Sequence, residues 1–135
     1  MKTDGNILLI DSVGTQLWVA RLGGGKVISR TCEIQKQHDK NINKLVAELI
    51  AGKTIDAFAV VVGPGSWTGC RVGVVAVKAY SCVFPDAKII SLGANENREE
   101  LVAETLRKFC SGEFTDSKTL APEYGGEFHV TVKKS

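Results

Sequence analysis

The stretch from residue 60 to residue 80, VVVGPGSWTGCRVGVVAVKAY, combines residue types that could hold a phosphate at a backbone loop. Glycines at the start of a helix let backbone N–H groups approach an anion closely. The spacing departs from both common phosphate motifs, because Thr68 stands where a P-loop has its second glycine and Gly69 falls one residue late for a dinucleotide fingerprint. Less specific anion binding stays open, and the candidate phosphate loop consists of Asp11, Gly14, Gly63 and Gly65.

The same stretch also has the pattern of a helix that begins after Ser66, a favourable N-cap residue. Gly65, Gly69 and Gly73 then recur every four residues and share one helix face. The glycines and valines lower the helix propensity by about 4 kcal/mol in total, so packing must compensate for this deficit. A glycine face allows another element to approach closely.

The sequence leaves two possibilities for what this glycine face contacts. In the first interpretation the helix packs only on its own sheet, through Val72, Val75 and Ala76. In the second it contacts a helix of another protein, with Trp67 as an anchor and Arg71 at the rim, because both residue types are enriched at interface hot spots.

A two-metal nuclease site would need carboxylates at the end of the first strand, on the first helix and at the end of the fourth strand. Asp11 and Glu48 occupy the first two positions. Gly63 occupies the third, and Asp56 lies at the wrong end of its strand. We therefore expect no catalytic carboxylate cluster.

The histidines and cysteines also lack the spacing of a metal site. The residue four after His38 is Ile42, and His129 stands alone near the end of the sequence. None of the four cysteines forms a C-x-x-C pair, which is typical of reduced thiols in a cytoplasmic protein. We expect no catalytic residue, no bound metal and no cofactor held by the chain itself.

The composition is that of one soluble globular domain. The chain has 135 residues, of which 44% are hydrophobic and 24% charged. The net charge of +2 is too small to indicate direct binding to nucleic acid. Neither a signal peptide nor a run long enough to cross a membrane is present, so we expect a cytoplasmic protein that does not bind membranes.

The first part of the chain is typical of three short strands. A continuous apolar run at residues 7–10 predicts a buried strand, residues 16–21 predict a second, and residues 26–33 predict a third. The three glycines at positions 23–25 are suited to the hairpin turn between the second and third strands.

The rest of the chain alternates helices and strands. Ile42, Leu45, Val46, Leu49 and Ile50 form one apolar helix stripe, which Asp39 or Asn41 would cap. Strands are predicted at residues 58–62 and 88–91, on either side of the glycine-rich helix. A last helix runs from Asn95 or Asn97 to about Cys110, and residues 127–132 alternate like an edge strand.

This order of elements predicts an α/β fold with a five-stranded mixed sheet, an antiparallel opening meander and three covering helices. The layout is that of a single ribonuclease H-like lobe, the unit from which the two-lobed actin/Hsp70 superfamily is built. We place this lobe at residues 1–112 and a C-terminal tail at residues 113–135.

Several motifs resemble those of the TsaB (YeaZ) family. The run GPGSWTGCRVG at residues 63–73 resembles the family's glycine signature, and ILLIDS at residues 7–12 resembles its opening strand. His38-Asp39 stands where the family usually has His-Ser, and Pro122-Glu123-Tyr124 resembles its closing segment.

The resemblance implies a non-catalytic adaptor in the synthesis of threonylcarbamoyladenosine at position 37 of tRNA. It implies binding to a TsaD-like catalytic subunit, joined by a TsaE-like ATPase. ATP would be bound by that partner complex, and tRNA would be reached only through it. The glycine face itself favours a homodimer of the chain when it is alone. The implied interface residues are His38, Ile42, Leu45, Gly65, Ser66, Trp67, Thr68, Gly69, Arg71, Gly73 and Val77.

Members of the family usually carry a second lobe after the fifth strand, whereas here Ser91-Leu92-Gly93 leads almost directly into the last helix. We therefore expect a short form without that lobe, which by itself could not close around a nucleotide. The alternative function is a nucleotide-binding or hydrolysing protein that uses the Asp11 turn and the loop at residues 63–65.

Overall fold

The computed structural model describes residues 5–14, 16–33, 38–65 and 67–123, and the side chains of residues 33, 38–40 and 67–70 lie outside this description. The predicted strand at residues 127–132 also lies outside it. None of the helices in the described part of the chain combines the length and apolar character that crossing a membrane requires.

The centre of the fold is one sheet of five strands in the order β3-β2-β1-β4-β5. Antiparallel pairing joins β1 to β2 and β2 to β3, whereas β4 pairs in parallel with both β1 and β5. The mixed sheet and the opening meander are therefore confirmed. The strands are β1 (Ile7–Asp11), β2 (Gln16–Gly23), β3 (Lys26–Glu33), β4 (Ala57–Gly63) and β5 (Lys88–Gly93).

The turn between β2 and β3 explains why the opening strands form a tight hairpin. Gly24 and Gly25 have φ angles of +58° and +75°, a left-handed conformation that glycine adopts without steric cost. Two such residues in sequence form the turn whose twist matches that of paired strands. Gly23 therefore pairs directly with Lys26.

Three helices connect and cover the strands, namely α1 (His38–Ile50), α2 (Trp67–Val83) and α3 (Arg98–Ser111). The caps predicted for α1 are wrong, because the helix begins at His38 and both Asp39 and Asn41 lie within it. The cap predicted for α3 is confirmed, since the Asn97 side chain accepts a hydrogen bond from the Glu100 N–H.

Each face of the sheet has its own apolar core. Helices α1 and α2 cover one face, where the buried side chains include Ile10, Phe58 and Val60. Helix α3 covers the other, where Leu9, Trp18 and Leu101 are buried. Because β1 and β4 are covered on both faces, their sequences are continuous apolar runs rather than alternating ones.

The first part of the predicted tail packs against the lobe, and residues 113–123 are called the strap below. The Thr115 N–H donates to the Ile89 carbonyl at 2.7 Å on β5, and the Glu123 N–H donates to the Val62 carbonyl at 2.7 Å on β4. Between these anchors, Leu120 is buried in the core beneath α1 and α2. The strap thus runs from the end of α3 to the core that lies under α1 and α2, on the other face of the sheet.

Candidate functional site

The first candidate surface is the outer side of helices α1 and α2, called the helix-pair face. The two helices are joined by the Tyr80 hydroxyl, which donates to Asn43 Oδ1 at 2.5 Å, while the Tyr80 ring stacks on Phe58. Burial raises the pKa of the Tyr80 phenol above its ordinary value. This contact fixes α1 against α2 and gives their outer surface a defined shape.

Small and apolar side chains are exposed on α2 at helical spacing. Val75 is 60% exposed and Val83 is 69% exposed. Ala79 and Cys82 are exposed between them, and Arg71 is exposed one turn before Val75. One of the two interpretations of the glycine-rich helix has Val75 against the sheet; for Val75 it is wrong, because Val74 and Val77 are the residues buried there.

The predicted interface residues divide between this exposed surface and the chain's own core. Ile42, Leu45 and Val77 have at most 8% of their surface exposed and belong to the core beneath the helices. They can support the helix-pair face but do not form its outer surface. Arg71 is exposed and Gly65 is partly exposed. Ser66, the burial of Gly69 and the side chains of His38, Trp67 and Thr68 lie outside the description.

Gly73 faces the sheet rather than the helix-pair face. A β-carbon at this position would lie 2.9 Å from Ser12 Oγ and 3.1 Å from Val60 Cγ2, both of which belong to the sheet side. The absence of a side chain therefore lets α2 approach the end of β1 closely. At Gly73, therefore, the helix packs on its own sheet, as the first of the two interpretations predicts.

The second candidate surface is a cavity of about 770 Å³, called the carboxyl-edge cavity. It lies where the parallel strands β1, β4 and β5 end, which is the usual position of a ligand site in an α/β sheet. Its lining residues are Asp11, Val13, Gly14, Gln16, Pro64, Ala94, Asn95, Glu96 and Arg98.

Asp11 is the last residue of β1 and contributes a carboxylate to this cavity. Its Oδ1 accepts a hydrogen bond from the Val13 N–H at 3.0 Å, which stabilises the tight turn after the strand. Burial raises the pKa of the Asp11 carboxyl above its ordinary value of 3.8, while the Val13 hydrogen bond and the positive charge of Arg98 act in the opposite direction.

Arg98 contributes a positive charge from the first turn of α3. Its guanidinium lies over the Trp18 ring, 5.0 Å from the centroid, and donates to Gln16 Oε1 at 3.3 Å. Stacking on an aromatic face holds a guanidinium without neutralising it. Trp18 and Gln16, both on β2, thus hold the Arg98 guanidinium where it lines the cavity.

The structure brings together part of the candidate phosphate loop. Asp11, Gly14 and the residue between the two loop glycines, Pro64, line one cavity. The Gly63 carbonyl accepts a hydrogen bond from the Ala94 N–H at 2.8 Å, which joins the ends of β4 and β5. The peptide bond between Gly63 and Pro64 is cis.

The α3 side of the cavity, which Asn95, Glu96 and Arg98 form, is not among the residues predicted from the sequence. Their signal was a polar run directly after a buried strand, at the edge where parallel strands end. Within the described residues, no group of three or more His, Cys, Asp or Glu side chains could hold a metal ion.

Comparison with known proteins supports the TsaB/YeaZ resemblance. Residues 27–87, less than half of the chain, match the family model described as TsaD: tRNA N6-adenosine threonylcarbamoyltransferase. No curated protein matches the chain.

Solved structures share its fold. YeaZ from Pseudomonas aeruginosa aligns with a TM-score of 0.60 and 24% identity over 66% of this chain and 44% of that one. A protein with similarity to peptidase YEAZ, also from Pseudomonas aeruginosa, aligns with a TM-score of 0.61 and 24% identity over 66% and 43% of the two chains. The chain thus has a TsaB/YeaZ-like fold, and it spans less than half the length of these neighbours.

Proposed function

We propose that this chain is a non-catalytic adaptor that binds and stabilises a TsaD-like partner during threonylcarbamoyladenosine modification of tRNA. The helix-pair face is the surface that binds the partner. A TsaE-like ATPase joins the pair, ATP is bound by that complex, and tRNA is reached only through it. In the absence of the partner, the same face pairs two copies of the chain.

The observation that carries this proposal is the row of exposed small and apolar residues along α2, in which Lys78 is the charged member between Val75 and Cys82. Val75 and Val83 are the two most exposed large hydrophobic side chains among the described residues. Ala79 and Cys82 are exposed between them, and small side chains permit close approach of a partner helix. Arg71 extends the row with a residue type enriched at interface hot spots.

The packing behind the face supports a recognition role. The hydrogen bond between Tyr80 and Asn43 holds the two helices together, and the core beneath them is apolar and continuous. A preorganised surface loses less conformational entropy when it binds. The family-model match at residues 27–87 covers both helices, and the structural neighbours carry the YeaZ name.

Size-exclusion chromatography with light scattering tests this role, using the chain alone and mixed with the TsaD-like protein of the same organism. We expect a one-to-one complex with the partner that Val75→Arg prevents. Val27→Arg is the matched control, because Val27 is 51% exposed on β3, away from α2. No complex with the unmodified chain, or equal loss with both variants, would contradict the proposal.

A second candidate function is nucleotide binding in the carboxyl-edge cavity. One observation favours it, namely that Asp11, Gly14 and Pro64 come from separate segments and line the same cavity. A fluorescent ATP analogue with Mg²⁺ provides the test. Saturable binding that Asp11→Ala removes, with the partner complex still intact, would support this function.

A further inference from the structure

The lining of the carboxyl-edge cavity contains two groups of opposite charge. Both Asp11 and Arg98 line it, yet no ion pair joins them. Asp11 Oδ1 is occupied by the Val13 N–H. Among the described residues no partner of Asp11 Oδ2 is seen, and Asp11 lines the cavity.

The Arg98 guanidinium is held on one face and at one nitrogen, and its other N–H donors are available to a ligand. Trp18 supports the face of its guanidinium, and Gln16 accepts from one terminal nitrogen. A guanidinium has five N–H donors in a fixed plane, so several remain for a planar acceptor such as a carboxylate. Because the group is already oriented, a ligand does not have to order it.

The start of α3 is poorly suited to a polyphosphate. Its first turn carries Glu99 and Glu100, and Glu96 also lines the cavity. The Asn97 side chain already accepts the Glu100 N–H, and the Asn95 side chain accepts the Asn97 N–H. Two backbone donors that could bind an anion are therefore in use, and the nearby carboxylates repel a highly charged one.

We propose that the carboxyl-edge cavity binds a small zwitterion of the α-amino acid type, with its ammonium group donating to Asp11 and its carboxylate accepting from Arg98. The ammonium group of the ligand is then paired with a carboxylate, and its carboxylate is paired with a guanidinium. The volume of about 770 Å³ lies within the range of small-molecule sites and leaves room for a large side chain. This inference does not depend on the adaptor role, since it concerns the chain alone.

Isothermal titration calorimetry of the full chain with a panel of L-amino acids, at about 10 mM to detect millimolar binding, provides the test. For the best binder, the N-acetyl derivative removes the positive charge and the primary amide removes the negative one. Each derivative should bind about tenfold more weakly or worse, because each loses a charge-assisted hydrogen bond. These comparisons use the unmodified protein and do not depend on a variant folding.

Two variants assign the contacts. Asp11→Asn should remove the preference for the free amine over the N-acetyl form, and Arg98→Gln should remove the preference for the acid over the amide. Arg107→Gln is the matched control, because Arg107 is an exposed arginine about 13 Å further along α3 and should leave both preferences unchanged. Circular dichroism and thermal melting establish that each variant is folded.

Three results would overturn the inference: no saturable binding of any amino acid, equal binding of the derivatives, or displacement of the amino acid by Mg·ATP with higher affinity. The last result would instead support nucleotide binding. Failure of the partner complex to form would leave this test unaffected, so the two proposals can fail separately.

Discussion

A β-carbon on Gly73 would lie only 2.9 Å from the hydroxyl oxygen of Ser12, a residue that is completely buried at the end of β1. The two residues therefore set how closely α2 can approach the sheet. Since Ser12 directly follows Asp11, the same close packing supports both the helix-pair face and one wall of the carboxyl-edge cavity.

Gly73→Ala should lower the free energy of unfolding by about 1 kcal/mol. Overpacking against Ser12 and Val60 costs about 1–3 kcal/mol, and the better helix propensity of alanine offsets part of this cost. Chemical denaturation measures the change. An unchanged or higher free energy of unfolding would show that the space is larger than the structure indicates.

A Gly73→Leu variant would not be a clean test of the helix-pair face. A leucine there would disrupt packing within the chain, so a loss of partner binding would not identify a contact surface. Val75→Arg is the cleaner interface variant, because the Val75 side chain already points into solvent.

Asp11→Asn should raise the melting temperature at pH 7. Burial raises the pKa of the Asp11 carboxyl in the folded chain, so the charged form is disfavoured there, and asparagine keeps an acceptor for the Val13 N–H without the charge. The stabilising effect of protonating Asp11 is complete below its ordinary pKa of 3.8 and is lost as pH rises through the raised pKa. The difference between variant and parent should therefore shrink toward pH 4. If the difference in melting temperature between variant and parent were the same at pH 7 and pH 4, this would contradict the raised pKa of Asp11.

Tyr80→Phe should lower the free energy of unfolding by about 1 kcal/mol, because it removes the hydrogen bond to Asn43 and keeps the stacking on Phe58. A double-mutant cycle with Asn43→Ala measures the coupling between α1 and α2. Independent effects of the two substitutions would show that this contact does not join the helices in solution.

Leu120→Ala should lower the free energy of unfolding by about 2–5 kcal/mol, the usual cost of emptying a buried leucine site. Lys118→Ala, an exposed change in the same strap, should have little effect. Equal and small effects of the two substitutions would show that the strap does not pack on the core.

Much of the fold was predictable, because the spacing of apolar residues along the sequence reflects which side chains are buried. The apolar runs of β1 and β4 indicated strands covered on both faces, and the stripe through Ile42 and Leu49 indicated a helix with one buried side. The start of α1 was not predictable from polar residues, since Asp39 and Asn41 resemble caps but lie inside the helix.

The direction of the glycine face was not predictable for a different reason. Spacing shows that residues share a helix face, but glycine has no side chain whose polarity would indicate what that face contacts. The burial of Leu120 was missed because it is a single apolar residue in a polar segment. The cavity was only partly foreseen, because Asp11 and Arg98 are far apart in sequence and meet only through strand order.

The adaptor role is tested most directly by the affinity of the TsaD-like protein for Val75→Arg relative to Val27→Arg, measured by titration calorimetry. Both variants place a charge at an exposed valine, but only Val75 lies on the helix-pair face. We predict that Val75→Arg weakens binding about a hundredfold, as expected for an interface hot spot, while Val27→Arg binds like the parent chain. Equal affinities of the two variants would contradict the account.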